Sequence, residues 1–221
     1  MKLLLPVLLC VPAFCASRPI VIGFVGGFVK AGNRTHEEVR LATRLRQDYP
    51  GAVSVRVFEN HQGRQAQQEI LRLLDSDRDG TLSAEEKRDA RIAIYGHSWG
   101  ASETVTLARF LGQQSIPVLL TVQVDSIRKP GEDDESIPAN VAQAVNFYQR
   151  EGLLKGRPRI RAADASRTKI LGNFRFDYRA NAVDCAGYPW FARVFMKPHI
   201  EIESDPVVWA RVESLIRSEL R

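Results

Sequence analysis

The chain has 221 residues, 31 basic against 26 acidic side chains for a formal charge of +5, and 44% hydrophobic residues. That length holds one sizeable α/β domain and is tight for two. Basic residues alternate with acids along the chain, which excludes a nucleic-acid footprint and describes an ordinary solvated surface.

The first stretch, MKLLLPVLLCVPAFCAS, has one lysine, an apolar run and then small residues. This is the layout of a secretory leader, and the run is too short to cross a bilayer in a mature protein. It predicts cleavage near Ala16 or Ser17, an exported (secreted or periplasmic) product, and a single domain over residues 18–221. Acylation of Cys15 is the alternative, and bulky Phe14 argues against it. No later stretch is apolar enough to span a membrane. Cys10 and Cys15 leave with the leader, so Cys185 stands alone and no internal disulfide is expected. Its simplest reading is a buried small residue.

RPIVIGFVGGFV then reads as a β-branched strand ending in glycines. THEEVRLATRLRQDYPG has helical periodicity, with Thr35 as N-cap and Glu38 closing a capping box. A second strand (AVSVRVFEN), a second helix (RQAQQEILRLLD), a third strand (RIAIYG), a third helix (SETVTLARFLGQQ) and a fourth strand (PVLLTVQVD) follow. Such alternation predicts βαβ units, hence a mostly parallel sheet with helices on both faces. The apolar runs lack strict alternation, as strands covered on both sides do. Beyond residue 126 a polar loop, SIRKPGEDDES, leads into IPANVAQAVNFYQREG, read as helix, and TKILGNFRFDY, read as a strand. The amphipathic DPVVWARVESLIRSEL closes the chain as a helix with proline in its first turn.

Two short motifs carry chemistry. DSDRDGTLSAEE, between the second helix and the third strand, fits D-x-D-x-D-G-x5-E, an EF-hand-like calcium loop. Asp75, Asp77 and Asp79 supply oxygens at positions one, three and five, and Gly80 allows the sharp turn. The Thr81 carbonyl, Ser83 (often through water) and Glu86 complete the set at positions seven, nine and twelve. Leu82 anchors the loop to its surroundings. A lone EF-hand-like loop predicts a structural Ca2+ clip rather than a switch, and an oxygen cage leaves little room for metal-activated water. The second motif, IAIYGHSWGA, is a strand, G-x-S-x-G and a helix. This is the sharp turn that exposes a serine nucleophile and aims helix N–H groups at a developing oxyanion.

With this turn and this element order, the chain resembles the α/β-hydrolase superfamily of serine esterases, lipases and thioesterases. The resemblance implies a Ser98 nucleophile followed in the chain by an acid and a histidine. Of the four histidines, His36 and His61 precede the serine and His97 lies inside the turn. His199, just ahead of the closing helix, is the expected base. Asp125, at the end of the fourth strand, is the expected acid, as in exported members with the acid at this earlier strand; Asp177 and Asp184 are the alternatives. The oxyanion hole would use the backbone N–H groups of Trp99 and Phe28, with Gly26 where the family usually has histidine. Phe174, Phe176, Tyr178, Trp190, Phe191 and Phe195 flank the approach to His199, as core or as acyl-pocket lining.

The expected function is hydrolysis of ester or thioester bonds in a small-molecule or lipid-like acyl substrate by a monomer. The competing readings are acyl transfer and a non-catalytic, calcium-dependent binding protein. Asn33-Arg34-Thr35 is a glycosylation sequon, relevant only in a eukaryotic secretory route.

Overall fold

The computed structural model describes residues 17–180 and 182–221; residues 1–16, which hold most of the expected leader, lie outside them. In chain order the elements are β1 Ile20–Val25, α1 Glu37–Asp48, β2 Ser54–Glu59, α2 Gly63–Leu74, α3 Ala84–Arg88, β3 Ile92–His97, α4 Trp99–Gln113, β4 Val118–Val124, β5 Ser136–Ile137, β6 Val141–Tyr148, β7 Arg161–Ala162, β8 Lys169–Arg175, α5 Trp190–Phe195, α6 Lys197–Ser204 and α7 Pro206–Glu219. Six strands form one sheet in the order β2-β1-β3-β4-β6-β8, parallel throughout. β5 and β7 make a separate parallel pair.

β1 and β3 are buried along their whole lengths. Their side chains divide between two apolar layers by the two-residue period of a strand. Ile20, Ile22, Phe24, Ile92 and Ile94 join Ile70 of α2 and Leu107 and Leu111 of α4. Val21, Ala93 and Tyr95 join Leu41 and Leu45 of α1 and Trp209, Val212 and Ile216 of α7 on the other face. Helices therefore cover both faces of a mostly parallel sheet, which is the α/β-hydrolase architecture. No helix among the described residues is long and apolar enough to cross a membrane.

Two expectations fail. The stretch expected as a helix after residue 137 is strand β6, seated between β4 and β8. Val141, Ala144, Val145 and Tyr148 fit helical spacing as well as a strand buried on both faces, so periodicity alone does not separate the two. Partners on both edges and the β-branched and aromatic content decide for the sheet. Nor does Thr35 cap α1. The N-cap is His36, with no side-chain cap bond, and Thr35 lies in the preceding turn, where its N–H donates to Asn33 Oδ1 at 3.1 Å. Glu38, expected in a capping box, is fully buried. The reciprocal box forms instead at Ser83 and Glu86, opening α3.

Candidate active site

Ser98 follows β3 directly and is the N-cap of α4, with φ 58° and ψ −125°. A positive φ is strained for a residue with a Cβ and persists where the surroundings over-determine it. Here the Ser98 N–H donates to the Val124 carbonyl at 3.0 Å, and its carbonyl accepts from Ile127 N–H at 3.3 Å. The two motif glycines are dictated by backbone contact. A Cβ on Gly96 would lie 2.5 Å from the Gly100 carbonyl oxygen, and one on Gly100 would lie 2.3 Å from that of Phe24.

Asp125 comes immediately after β4, the strand beside β3, and its side chain is wholly buried. Gln149 supplies two donors to it, the backbone N–H to Oδ1 at 2.9 Å and Nε2 to Oδ2 at 2.7 Å. His199, expected just ahead of the closing helix, lies in the short helix α6, whose first turn contains Pro198. Its Nδ1 is 2.6 Å from Asp125 Oδ2 and its Nε2 is 2.9 Å from Ser98 Oγ. Since a carboxylate only accepts, Nδ1 carries the proton and Nε2 is free to accept from the serine. The rival acids stand elsewhere. Asp177 is exposed and paired with Arg179, and Asp184 is exposed and accepts from Ala186 N–H. His61 is exposed beside Glu59. Cys185 is buried, and burial raises its thiol pKa, which suits a packing residue rather than a nucleophile.

A cavity of about 650 Å3 opens over Ser98, within the usual range for small-molecule sites. Phe28, Trp99, Ile127, Leu154, Met196 and Ile200 give it an apolar lining. Phe28 lies within a turn closed by the Val29 N–H donating to the Gly26 carbonyl at 3.1 Å. Its ring is 93% exposed and meets that of Trp99 edge-on, 5.7 Å between centroids. Gly26, in place of the family's histidine, runs so close to the serine that a Cβ there would be 2.9 Å from the Ser98 Cβ. The aromatics near His199 divide. Phe174 and Phe176 pack on Phe147, whereas Phe191 lines the cavity and Trp190 and Phe195 stand exposed on α5.

In the acidic loop, carboxylate oxygens of Asp75, Asp77 and Glu86 lie within 4.8 Å of one another. Asp75 Oδ1 is buried without a hydrogen-bond partner. Asp79 is not part of that group, and its Oδ1 accepts from the Thr81 N–H at 2.7 Å. Both Glu86 oxygens are engaged, Oε1 by Ser76 and Oε2 by Ser83, and these bonds hold its pKa down to about 2. Leu82 packs against the core beneath.

Sequence reasoning missed a buried group behind the serine: His36, Glu38, His97 and Glu203. A signal for Glu38 existed, since it falls on the same helical stripe as Leu41, Ala42 and Leu45. Glu203 lies one turn beyond His199 on α6.

No protein-family model matches the chain, and no curated protein sequence matches it. Among solved structures, a mutant of the esterase rPPE superposes with TM-score 0.51 at 11% identity, over 93% of this chain and 75% of that one. An arylesterase gives 0.49 at 11% identity (93% and 77%), and a cutinase-like protein from Cryptococcus sp. gives 0.46 at 12% (92% and 95%). The chain therefore shares the α/β-hydrolase fold of the first of these.

Proposed function

We propose that this protein hydrolyses ester or thioester bonds, with Ser98 as nucleophile, His199 as base and Asp125 as the acid that orients it. The observation that carries this reading is the unbroken chain from Ser98 Oγ through both His199 nitrogens to a buried carboxylate. His199 Nε2 takes the Ser98 proton as Oγ attacks the acyl carbonyl, and Asp125 stabilises the resulting imidazolium. The Trp99 and Phe28 N–H groups are the candidate donors to the developing oxyanion. His199 then protonates the departing alcohol or thiol, and water activated by the same histidine releases the acid.

The apolar cavity lining favours an acyl or aryl group over a charged one, and the named esterase of the same fold is in keeping with that chemistry. The apolar leader supports export. We further infer a structural Ca2+ in the loop of residues 75–86, held by Asp75, Asp77, Asp79, Glu86 and the Thr81 carbonyl. The orphaned Asp75 oxygen and the gathering of carboxylate oxygens from Asp75, Asp77 and Glu86 support that site. Bound there, the ion would pin the segment leading into β3. Turnover of p-nitrophenyl esters of graded acyl length, by wild type and Ser98→Ala, tests the enzymatic reading. Equal rates for the two proteins would refute it.

A further inference from the structure

The buried group behind Ser98 has the composition of a metal site. His36 Nδ1 contacts Glu203 Oε1 directly. One ligand atom from each of His36, Glu38 and Glu203 lies within 4.8 Å of the other two. His97 Nδ1 faces the same two carboxylates, 3.3 Å from Glu203 Oε2 and 4.0 Å from Glu38 Oε1. All four side chains are nine-tenths or more buried.

Two details show that this group lacks a partner. Glu38 is fully buried, and neither of its oxygens has a hydrogen-bond donor. Burying an unpaired carboxylate is costly, so such a group attracts either a proton or a cation. The second detail is the orientation of His97. Its Nε2 lies 3.2 Å from the His199 carbonyl oxygen, which only accepts, so Nε2 carries the hydrogen. The Nδ1 of the neutral ring then points a lone pair at two carboxylates. A backbone carbonyl on the far ring nitrogen is the usual second partner of a metal-bound histidine. Among the described residues no lysine or arginine forms an ion pair with Glu38 or Glu203. A divalent ion would cancel the charge of the two glutamates once both are ionised.

We propose that His36, Glu38 and Glu203, with His97 as fourth ligand, bind a divalent transition-metal ion, with Zn2+ as the first candidate. Mixed imidazole and carboxylate donors suit zinc and its neighbours rather than calcium. His36, His97 and Glu203 also line the cavity over Ser98, which gives the ion a route in. The ion would tie the start of α1, the residue before the nucleophile and the helix carrying His199 into one unit. Its role is to brace the site, and the reaction does not pass through it.

The test is Zn2+ titration of chelator-stripped, full-length protein by calorimetry, in excess Ca2+ so that the acidic loop does not compete. Metal content and thermal unfolding are read in parallel. The expected result is one zinc per chain and a rise in Tm of about 5 °C or more. Glu38→Gln, nearly isosteric and checked for folding by circular dichroism, should weaken zinc binding at least about ten-fold and abolish the shift. Should that variant not fold, Glu203→Gln serves the same purpose. A wild-type protein that binds no zinc at micromolar concentration overturns the proposal. So does zinc that survives Glu38→Gln but is lost from Asp125→Asn, which would put the ion on Asp125 and His199. None of these readouts depends on ester hydrolysis, so the metal site and the enzymatic reading fail separately.

Discussion

His97 and His199 lie ring against ring, 4.5 Å between centroids, and His97 Nε2 is 3.2 Å from the His199 carbonyl oxygen. The residue before the proposed nucleophile thus holds the backbone of the proposed base. Burial pushes the His97 pKa down to about 4, so its ring is neutral at neutral pH and sets no second positive charge against His199 when that residue is protonated. His97→Phe keeps a ring and loses the donor. It is expected to lower kcat about ten-fold or more while KM changes less than about two-fold, because misplacing a reacting group costs rate rather than binding. Steady-state kinetics on a p-nitrophenyl ester checks this, and an unchanged kcat removes the positioning role.

Gln149 holds the proposed acid, Asp125. Gln149→Leu removes the Nε2 donor to Asp125 Oδ2 and leaves the backbone N–H to Oδ1 in place. Losing a donor to a buried charge costs about 1–3 kcal/mol. A fall in kcat of about ten-fold and a Tm lower by several degrees are expected. Stability lost with kcat intact would mean that Gln149 only supports the fold.

The motif glycines are a steric matter. Gly100→Ala drives a Cβ onto the Phe24 carbonyl and is expected to cost about 3 kcal/mol in urea unfolding. Gly32→Ala, with nothing within 4 Å of the new Cβ, should stay within about 0.5 kcal/mol. Equal effects at the two positions would contradict the close crossing of α4 over β1.

Calcium has its own signature. Ca2+ at about a hundred times its dissociation constant should stabilise wild type by about 2.7 kcal/mol and raise its Tm by several degrees. EGTA should reverse the shift, and Asp75→Asn should abolish it. Differential scanning fluorimetry reads all three. A wild type indifferent to both calcium and chelator would leave the acidic loop as a capped turn.

The nucleophile turn and the sheet were legible because their signals are local. IAIYGHSWGA holds its strand, its glycines and its helix start within ten residues, and Asp125 sits where a strand run ends. His199 emerged from the order of residues that the resemblance implies rather than from any pattern around it. β6 was misread because its apolar residues satisfy helical and strand spacing together, and its neighbours β4 and β8, with its β-branched and aromatic content, decide between them. Glu38 was misread for a related reason. Thr35 with Glu38 fits a capping box in sequence, yet three-dimensional packing turns that carboxylate inward towards His97 and Glu203, residues 59 and 165 positions further along the chain.

The central claim is that Ser98 is a nucleophile activated by His199. Intact-mass analysis after exposure of the folded, calcium-loaded protein to a fluorophosphonate tests it most directly. One adduct per chain, mapped by peptide sequencing to Ser98 and absent from Ser98→Ala and His199→Ala, is the expected result. A folded wild type that remains unmodified, or that carries the adduct at another residue, would contradict it.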